Sequence, residues 1–235
     1  MAAISISIQK TSHPKNPPTG KKLGFGQFFT DHMFMMDYQK EKGWHQARIV
    51  PYGPITFDPA AAVFHYGQAM FEGLKAFRGS DGKIRLFRPD MHSQRMAQNA
   101  PRLCMPGVPA ELFLQAVKTL VSLDRDWVPK EKGSSLYIRP TLVGMEPFLG
   151  VREAHKYLFF IILSPSGAYY DEIKPLDIWV EDHYIRTAPG GLGEVKAGAN
   201  YVASLLAAKK AKEKGYSQVL WLDAVQKNSS KRSGR

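Results

Sequence analysis

The hydrophobic period of this 235-residue chain changes twice, and that sets its fold class before anything else does. From Phe25 onward apolar residues come in short strand-like stretches, Phe34-Met-Met-Asp-Tyr38 and Ala47-Arg-Ile-Val-Pro-Tyr52. Gly73-Leu-Lys-Ala-Phe-Arg78 and Lys83-Ile-Arg-Leu-Phe-Arg88 flank Gly79-Ser-Asp-Gly82, the turn chemistry of a β-hairpin. The period then lengthens. A helix is expected near Asp90–Leu103, behind the start signal Pro89-Asp90. A second is expected near Ala110–Asp126, where Phe113, Ala116, Val117, Leu120 and Val121 fall at helical spacing. The period shortens again at Ser135–Val143 and Tyr157–Leu163. Such a chain packs as mixed α/β layers.

Ser164-Pro-Ser-Gly-Ala168 reads as a linker. Beyond it come a strand at Asp177–Val180, the loop Gly190-Gly-Leu-Gly193, a helix at Tyr201–Lys214 closed by Gly215, and a strand at Gln218–Asp223. The expected organisation is therefore a leader over 1–24, a small α/β domain over 25–165, the first part of a second, larger domain over 166–224, and a basic tail over 225–235. Pro14, Pro17, Pro18 and Gly20 make the leader read as irregular.

Composition narrows the function classes. At 44% hydrophobic and 23% charged residues the chain is neither collagen-like nor disordered. A single cysteine, Cys104, rules out a disulfide framework and suits a reducing compartment; it reads as a buried apolar residue at a helix end. The run Leu158–Leu163 is far short of the roughly 20 residues that span a bilayer. The first residues lack the basic start of a signal peptide, so no membrane partner and a cytoplasmic location are expected. The formal net charge of +11 suggests nucleic acid, yet eight of those charges lie in the acid-free ends: Lys10, Lys15, Lys21, Lys22, Lys227, Lys231, Arg232 and Arg235. Loose basic ends do not make a phosphate-binding face, and no nucleic-acid partner is expected. The histidines show no metal-ligand spacing.

The segment Gly190-Gly-Leu-Gly-Glu-Val-Lys-Ala-Gly-Ala-Asn-Tyr201 carries the chemistry. It sets Lys196 among small residues between a strand and a helix. A reactive amine needs a fixed stem, a partly desolvated head and open space for a flat partner, which Gly193, Ala197, Gly198 and Ala199 leave. The loop fits neither the Walker nor the dinucleotide pattern.

The order of motifs resembles the branched-chain-amino-acid aminotransferases, pyridoxal-phosphate enzymes of fold type IV. The marks are Phe25-Gly-Gln-Phe-Phe-Thr-Asp-His-Met33, Phe64-His-Tyr-Gly-Gln-Ala-Met-Phe-Glu-Gly-Leu-Lys-Ala-Phe77, Phe87-Arg-Pro-Asp90 with Arg95-Met96, and Ser135-Leu-Tyr-Ile-Arg-Pro140. Glu146-Pro-Phe-Leu-Gly-Val151, Gly167-Ala-Tyr-Tyr170, the Lys196 segment and Gln218-Val-Leu-Trp-Leu-Asp223 follow in family order.

The resemblance implies a transaminase that moves an amino group between Leu, Ile or Val and 2-oxoglutarate by a ping-pong mechanism, with pyridoxal 5'-phosphate as cofactor. Lys196 matches the Schiff-base lysine, which would also move the substrate's α-proton. Arg95 matches the arginine that grips the cofactor phosphate, and Tyr201 the tyrosine on its phenolic oxygen. Arg186 lies near the cofactor in the family. Phe25, Tyr66, Phe71, Tyr137 and Tyr169 match the walls of the side-chain pocket, and Arg139 the cation that meets the glutamate γ-carboxylate. Tyr66 and Leu149-Gly-Val151, including Val151, match segments that complete a partner's site, so a homodimer is expected. A D-amino-acid aminotransferase or an aminodeoxychorismate lyase is the rival within the fold, and an inert fragment is the rival outside it.

After Gln226 the family pattern stops before its Glu-Glu-Val-Gly-Thr-Met-Asn motif. Codons able to encode Lys227–Arg235 regroup, in a shifted frame, to read Phe-Ile-Glu-Glu-Val-Gly-Thr. The expectation is a lost base, a chain cut short within its larger domain, and impaired turnover.

Overall fold

The strand pair that organises the first unit is read directly from alternation. In β7 (Ser135–Gly144), Leu136, Ile138 and Leu142 are fully buried while Tyr137, Arg139 and Thr141 lie half-buried on the opposite face. Its partner β8 (Lys156–Ser166) runs antiparallel with Tyr137 opposite Ser164 and Arg139 opposite Ile162. This is a computed structural model. It describes residues 5–18, 23–168, 175–227 and 230–233, in two units, 1–169 and 170–235.

The first unit is built on an eight-stranded sheet. Its elements are β1 (Ser7–Ile8), β2 (His32–Gln39), β3 (Gly43–Pro51), α1 (Ala62–Tyr66), β4 (Ala69–Phe71), β5 (Leu74–Arg78), β6 (Ile84–Leu86), α2 (Pro89–Asn99), α3 (Ala110–Leu123), β7 and β8. The strand order is β1-β3-β2-β8-β7-β5-β6, with β4 also on β7. Pro140 lacks a ladder donor, and it sits where β7 passes from β5 to β4. Its carbonyl there accepts the Glu72 N–H at 2.8 Å. The expected hairpin is present, with Gly82 at φ +73° in its turn. A short 3₁₀ turn follows each helix, Pro101–Leu103 and Arg125–Trp127, which is why both helices end earlier than expected.

Phe113, Ala116, Val117, Leu120 and Val121 of α3 enter the core as their spacing requires, together with Met96 and Ala100. Phe159 is at its centre, with ring centroids 5.9 Å from Phe34 and 6.0 Å from Phe113. Phe159→Ala is expected to cost about 3–5 kcal/mol, read as a lower urea midpoint with little change in slope.

Three expectations are corrected here. Ser164–Ser166 belong to β8, so the linker begins later and the boundary expected at 165 falls within a strand. The leader is not irregular throughout: Ser7–Ile8 pairs parallel with β3, and Lys15 Nζ donates to the carbonyls of Phe29 (2.8 Å) and Thr30 (2.9 Å). That lysine also lies over the Tyr52 and Trp127 rings, so its charge is used locally. Cys104 is exposed, at φ +52° after a 3₁₀ turn; its carbonyl accepts from the Tyr157 hydroxyl.

The second unit holds β9 (Ile178–Glu181), α4 (Gly198–Val202), α5 (Leu205–Glu213), β10 (Gln218–Leu222) and β11 (Ser230–Ser233). Its sheet runs β11-β10-β9 over a small core of Ala207, Ala211, Val219 and Trp221. The single helix expected from Tyr201 is two helices, starting at Gly198 and broken at Ala203-Ser204. The Ser204 hydroxyl donates to the Tyr201 carbonyl at 2.7 Å, competing with the helix ladder. The tail has no apolar period, yet Ser230–Ser233 pairs antiparallel with β10, since ladder bonds need no apolar side chain.

Candidate active site

Arg95 lies on α2, one turn from His92 on the same face. Both reach Glu72, the residue after β4, whose side chain has no exposed surface. Arg95 donates to its carboxylate through Nε (2.5 Å) and Nη2 (2.6 Å), a bidentate pair, and His92 Nδ1 stands 2.9 Å from Oε2. An ionised carboxylate only accepts, so His92 Nδ1 carries the proton. Burial pushes the Glu72 carboxyl up; the hydrogen bonds from Arg95 and His92, with the charge of Arg95, outweigh it and hold the group below the ordinary carboxylate range. The Arg95 side chain as a whole remains about half exposed. Sequence reasoning missed Glu72, whose partners His92 and Arg95 come from a later helix.

The half-buried face of β7 brings Phe25, Phe71 and Tyr137, three of the five residues expected in the pocket wall, together with Arg139. Arg139 donates to the Tyr137 hydroxyl at 3.0 Å and stacks over Phe71, 4.4 Å from its ring centroid. Phe25, near half-exposed, meets Tyr137 edge-on at 4.8 Å. Gly73 makes this possible, since a Cβ there would overlap the Tyr137 hydroxyl oxygen. Gly73 too was missed from sequence. Tyr66 turns elsewhere: its hydroxyl donates to the Leu149 carbonyl. Val151 is 88% exposed. Arg152 pairs with Glu146 and lies 4.0 Å over Phe148, fixing the loop between them. Tyr169 lies outside the described residues.

In the second unit Lys196 is half-buried, and its Nζ donates to the Tyr201 hydroxyl at 2.9 Å. Arg186 stands over the same ring, 5.7 Å from its centroid. Tyr201 also lines a cavity of about 190 Å³ with Arg186, Ser204, Ser217 and Trp221. Gly193 is required where it is, because a Cβ would overlap the Thr187 hydroxyl. Lys196, Tyr201 and Arg186, each expected near the cofactor, thus meet within one unit, and Arg95, Phe25, Phe71, Tyr137 and Arg139 lie in the other.

The sequence model of the family described as amino-transferase class IV matches residues 69–227, more than half of the chain. The chain belongs to the class IV aminotransferases. It is 54% identical over 224 residues to branched-chain-amino-acid transaminase 1 of Bacillus subtilis (strain 168), a match covering 94% of this chain and 63% of that protein. To the branched-chain-amino-acid aminotransferase of Mycolicibacterium smegmatis it is 47% identical over 230 residues, 95% of this chain and 62% of the relative. This class IV aminotransferase chain therefore spans a little under two thirds of the curated relatives it matches.

Among solved structures, a T.th. branched-chain amino acid aminotransferase with pyridoxamine 5'-phosphate superposes with a TM-score of 0.66 at 24% identity, covering 84% of this chain and 62% of that one. The enzyme from Thermoproteus uzoniensis with norvaline gives 0.65 at 22% identity, covering 85% and 63%. The shared fold is the fold type IV architecture that the motif order implied.

Proposed function

We propose that this class IV aminotransferase chain carries the machinery for moving an amino group between branched-chain L-amino acids and 2-oxoglutarate, donor and acceptor taking turns at one pyridoxal 5'-phosphate. One observation carries the reading: an amine on a glycine-rich loop meets a phenol at 2.9 Å, at the start of a helix. The residues present fit the cofactor. An amine, a phenol and a guanidinium converge in the second unit, on a loop that Gly193 lets pack closely against Thr187. In the first unit the guanidinium of the half-exposed Arg95 side chain is anchored by one edge, as a phosphate clamp requires. When bound, pyridoxal 5'-phosphate supplies an electron sink for the pair left at the substrate's α-carbon.

Lys196 would hold the cofactor's aldehyde carbon and, once displaced by substrate, take the proton from the α-carbon through Nζ. Tyr201 would orient that amine through its hydroxyl, and Arg186 would add positive charge against the ring. Phe25, Phe71 and Tyr137 offer Leu, Ile and Val apolar surface. Tyr169 belongs to the same proposed wall, and Tyr66, whose hydroxyl is turned to the Leu149 carbonyl of its own chain, would reach that wall from a second copy. Arg139 would meet the γ-carboxylate of glutamate, with the Tyr137 hydroxyl beside it. Arg139→Met is expected to raise KM for 2-oxoglutarate by about 10- to 100-fold, the worth of one charge-assisted contact, with a smaller change for leucine. A steady-state comparison of the two substrates reads the difference.

Exposed Phe64, Phe148, Leu149 and Val151 favour a second copy as partner, with Tyr66 and Val151 contributing to its site. In the second unit Val202 (70%), Leu205 (63%) and Leu206 (49%) are exposed as well. Among the described residues no helix is long and apolar enough to cross a membrane, and a cytoplasmic location is part of the proposal. The test is borohydride reduction of the chain with pyridoxal 5'-phosphate, followed by peptide mass spectrometry and a leucine/2-oxoglutarate turnover assay. Label at Lys196 supports the reading; label spread over exposed lysines overturns it.

A further inference from the structure

We infer that Asn200 is a positioning residue for Lys196, setting both the loop that carries the lysine and the direction of its stem. The inference rests on Lys196 being the reactive amine of the proposed function. Asn200 is 7% exposed. Its side-chain Nδ2 donates to the carbonyls of Leu192 (2.7 Å) and Val195 (2.8 Å), and its main-chain N–H donates to the carbonyl of Ala197 (3.2 Å). Val195 and Ala197 are the two neighbours of Lys196. One residue therefore ties down the peptide group on the near side of the lysine and the one beyond its far neighbour. The next residue in the chain, Tyr201, then receives the lysine's Nζ at 2.9 Å.

The bland alternative is that Asn200 merely caps or fills the start of α4. An asparagine capping a helix start accepts main-chain N–H bonds with its oxygen. Here the donor end of the amide is used instead, on carbonyls upstream of the helix, and the cap position is Ala197, which makes no side-chain capping bond. The need for a clamp follows from the sequence around it. Gly190, Gly191, Gly193 and Gly198 give this loop wide conformational freedom, and a lysine stem on such a loop would otherwise sample many directions. Two donors on one short planar head are what an amide offers. The isosteric aspartate offers none, and would face two carbonyls with a negative oxygen.

The test reads the amine itself, in the full chain. Acetylation of Lys196 by an N-hydroxysuccinimide ester is followed by peptide mass spectrometry, as a ratio to the exposed Lys212. In the parent chain Lys196 is expected to react several-fold more slowly than Lys212. Asn200→Asp and Asn200→Ala should bring that ratio to within about twofold of unity, and Tyr201→Phe should do the same. A residue with a merely structural role would lower the melting temperature and leave the ratio unchanged while the chain is folded. Amide-proton exchange in the parent chain needs no variant: the Asn200 side-chain protons should exchange more slowly than those of the exposed Asn16. An unchanged ratio in Asn200→Asp, or exchange at Asn200 as fast as at Asn16, overturns the inference. Borohydride trapping of pyridoxal 5'-phosphate separates the two claims. If trapping at Lys196 fails while Asn200→Asp still shifts the ratio, the lysine's chemistry is misassigned and its positioning by Asn200 stands. If trapping succeeds and the ratio does not move, the positioning role falls alone.

Discussion

Lys196→Ala should remove the borohydride-fixed label of pyridoxal 5'-phosphate and slow amino transfer by roughly a hundred- to ten-thousand-fold, the range a positioned proton-transfer group contributes. Lys196→Arg should fail equally. A guanidinium stays protonated in proteins, so it can neither attack an aldehyde nor accept the α-proton, although it keeps the charge. The loss should not be a folding effect. Lys196 lies outside the small core of Ala207, Ala211, Val219 and Trp221, and substitutions away from a core usually change stability by about 0.5 kcal/mol or less. Circular dichroism melts of both variants should therefore overlay the parent's. Label that persists in Lys196→Ala would assign the chemistry to another lysine. Melts that collapse would show that the 2.9 Å contact with Tyr201 holds the unit together rather than preparing an amine.

Much of this is legible in the residues, and the misses have physical causes. Alternation in Ser135–Gly144 puts Tyr137 and Arg139 on one face whatever packs against them, because a strand has period two. The Gly79–Gly82 turn and the apolar stripe of α3 are local signals of the same kind, and the structure bears both out. Glu72 escapes because its meaning is non-local. Nothing beside it in the sequence says that residues 20 and 23 positions later will bring it a histidine and an arginine. Lys15 escapes for the same reason, since a lysine among prolines reads as solvated until Phe29 and Thr30 present their carbonyls. The helix break at Ser204 turns on one hydroxyl choosing a carbonyl, a choice that apolar spacing does not register. Gly73 and Gly193 are visible as glycines, but the side chains that make them necessary, Tyr137 and Thr187, come from elsewhere in the chain.

Glu72→Gln should weaken the fold of the first unit and, with it, the hold on a phosphate proposed for Arg95. A fully buried carboxylate that loses its charge leaves Arg95 and His92 facing a neutral amide. Breaking a wholly buried pair costs roughly 3–5 kcal/mol; with the Arg95 side chain half exposed, screening lowers the expectation to about 1–3 kcal/mol. That corresponds to a melting temperature lower by about 2–12 °C for a chain of this size. The pH dependence carries the sign. The Glu72 carboxyl is held below its ordinary value of 4.5 in the folded chain, so its contribution is complete above that value and is lost as pH falls through the depressed one. The stability gap between parent and Glu72→Gln should thus be widest near neutrality and close in acid, which parallel urea melts at several pH values would show. Weakened binding of pyridoxal 5'-phosphate, by about tenfold, should accompany it, because an unanchored guanidinium must be ordered at the moment of binding. Glu72→Asp separates charge from reach: it keeps the carboxylate but shortens it by one methylene, so it should recover the acid-sensitive part of the stability more fully than the phosphate affinity. Equal melts for parent and Glu72→Gln across that pH range would show that Arg95 is fixed by other contacts, and the clamp would then need a different anchor.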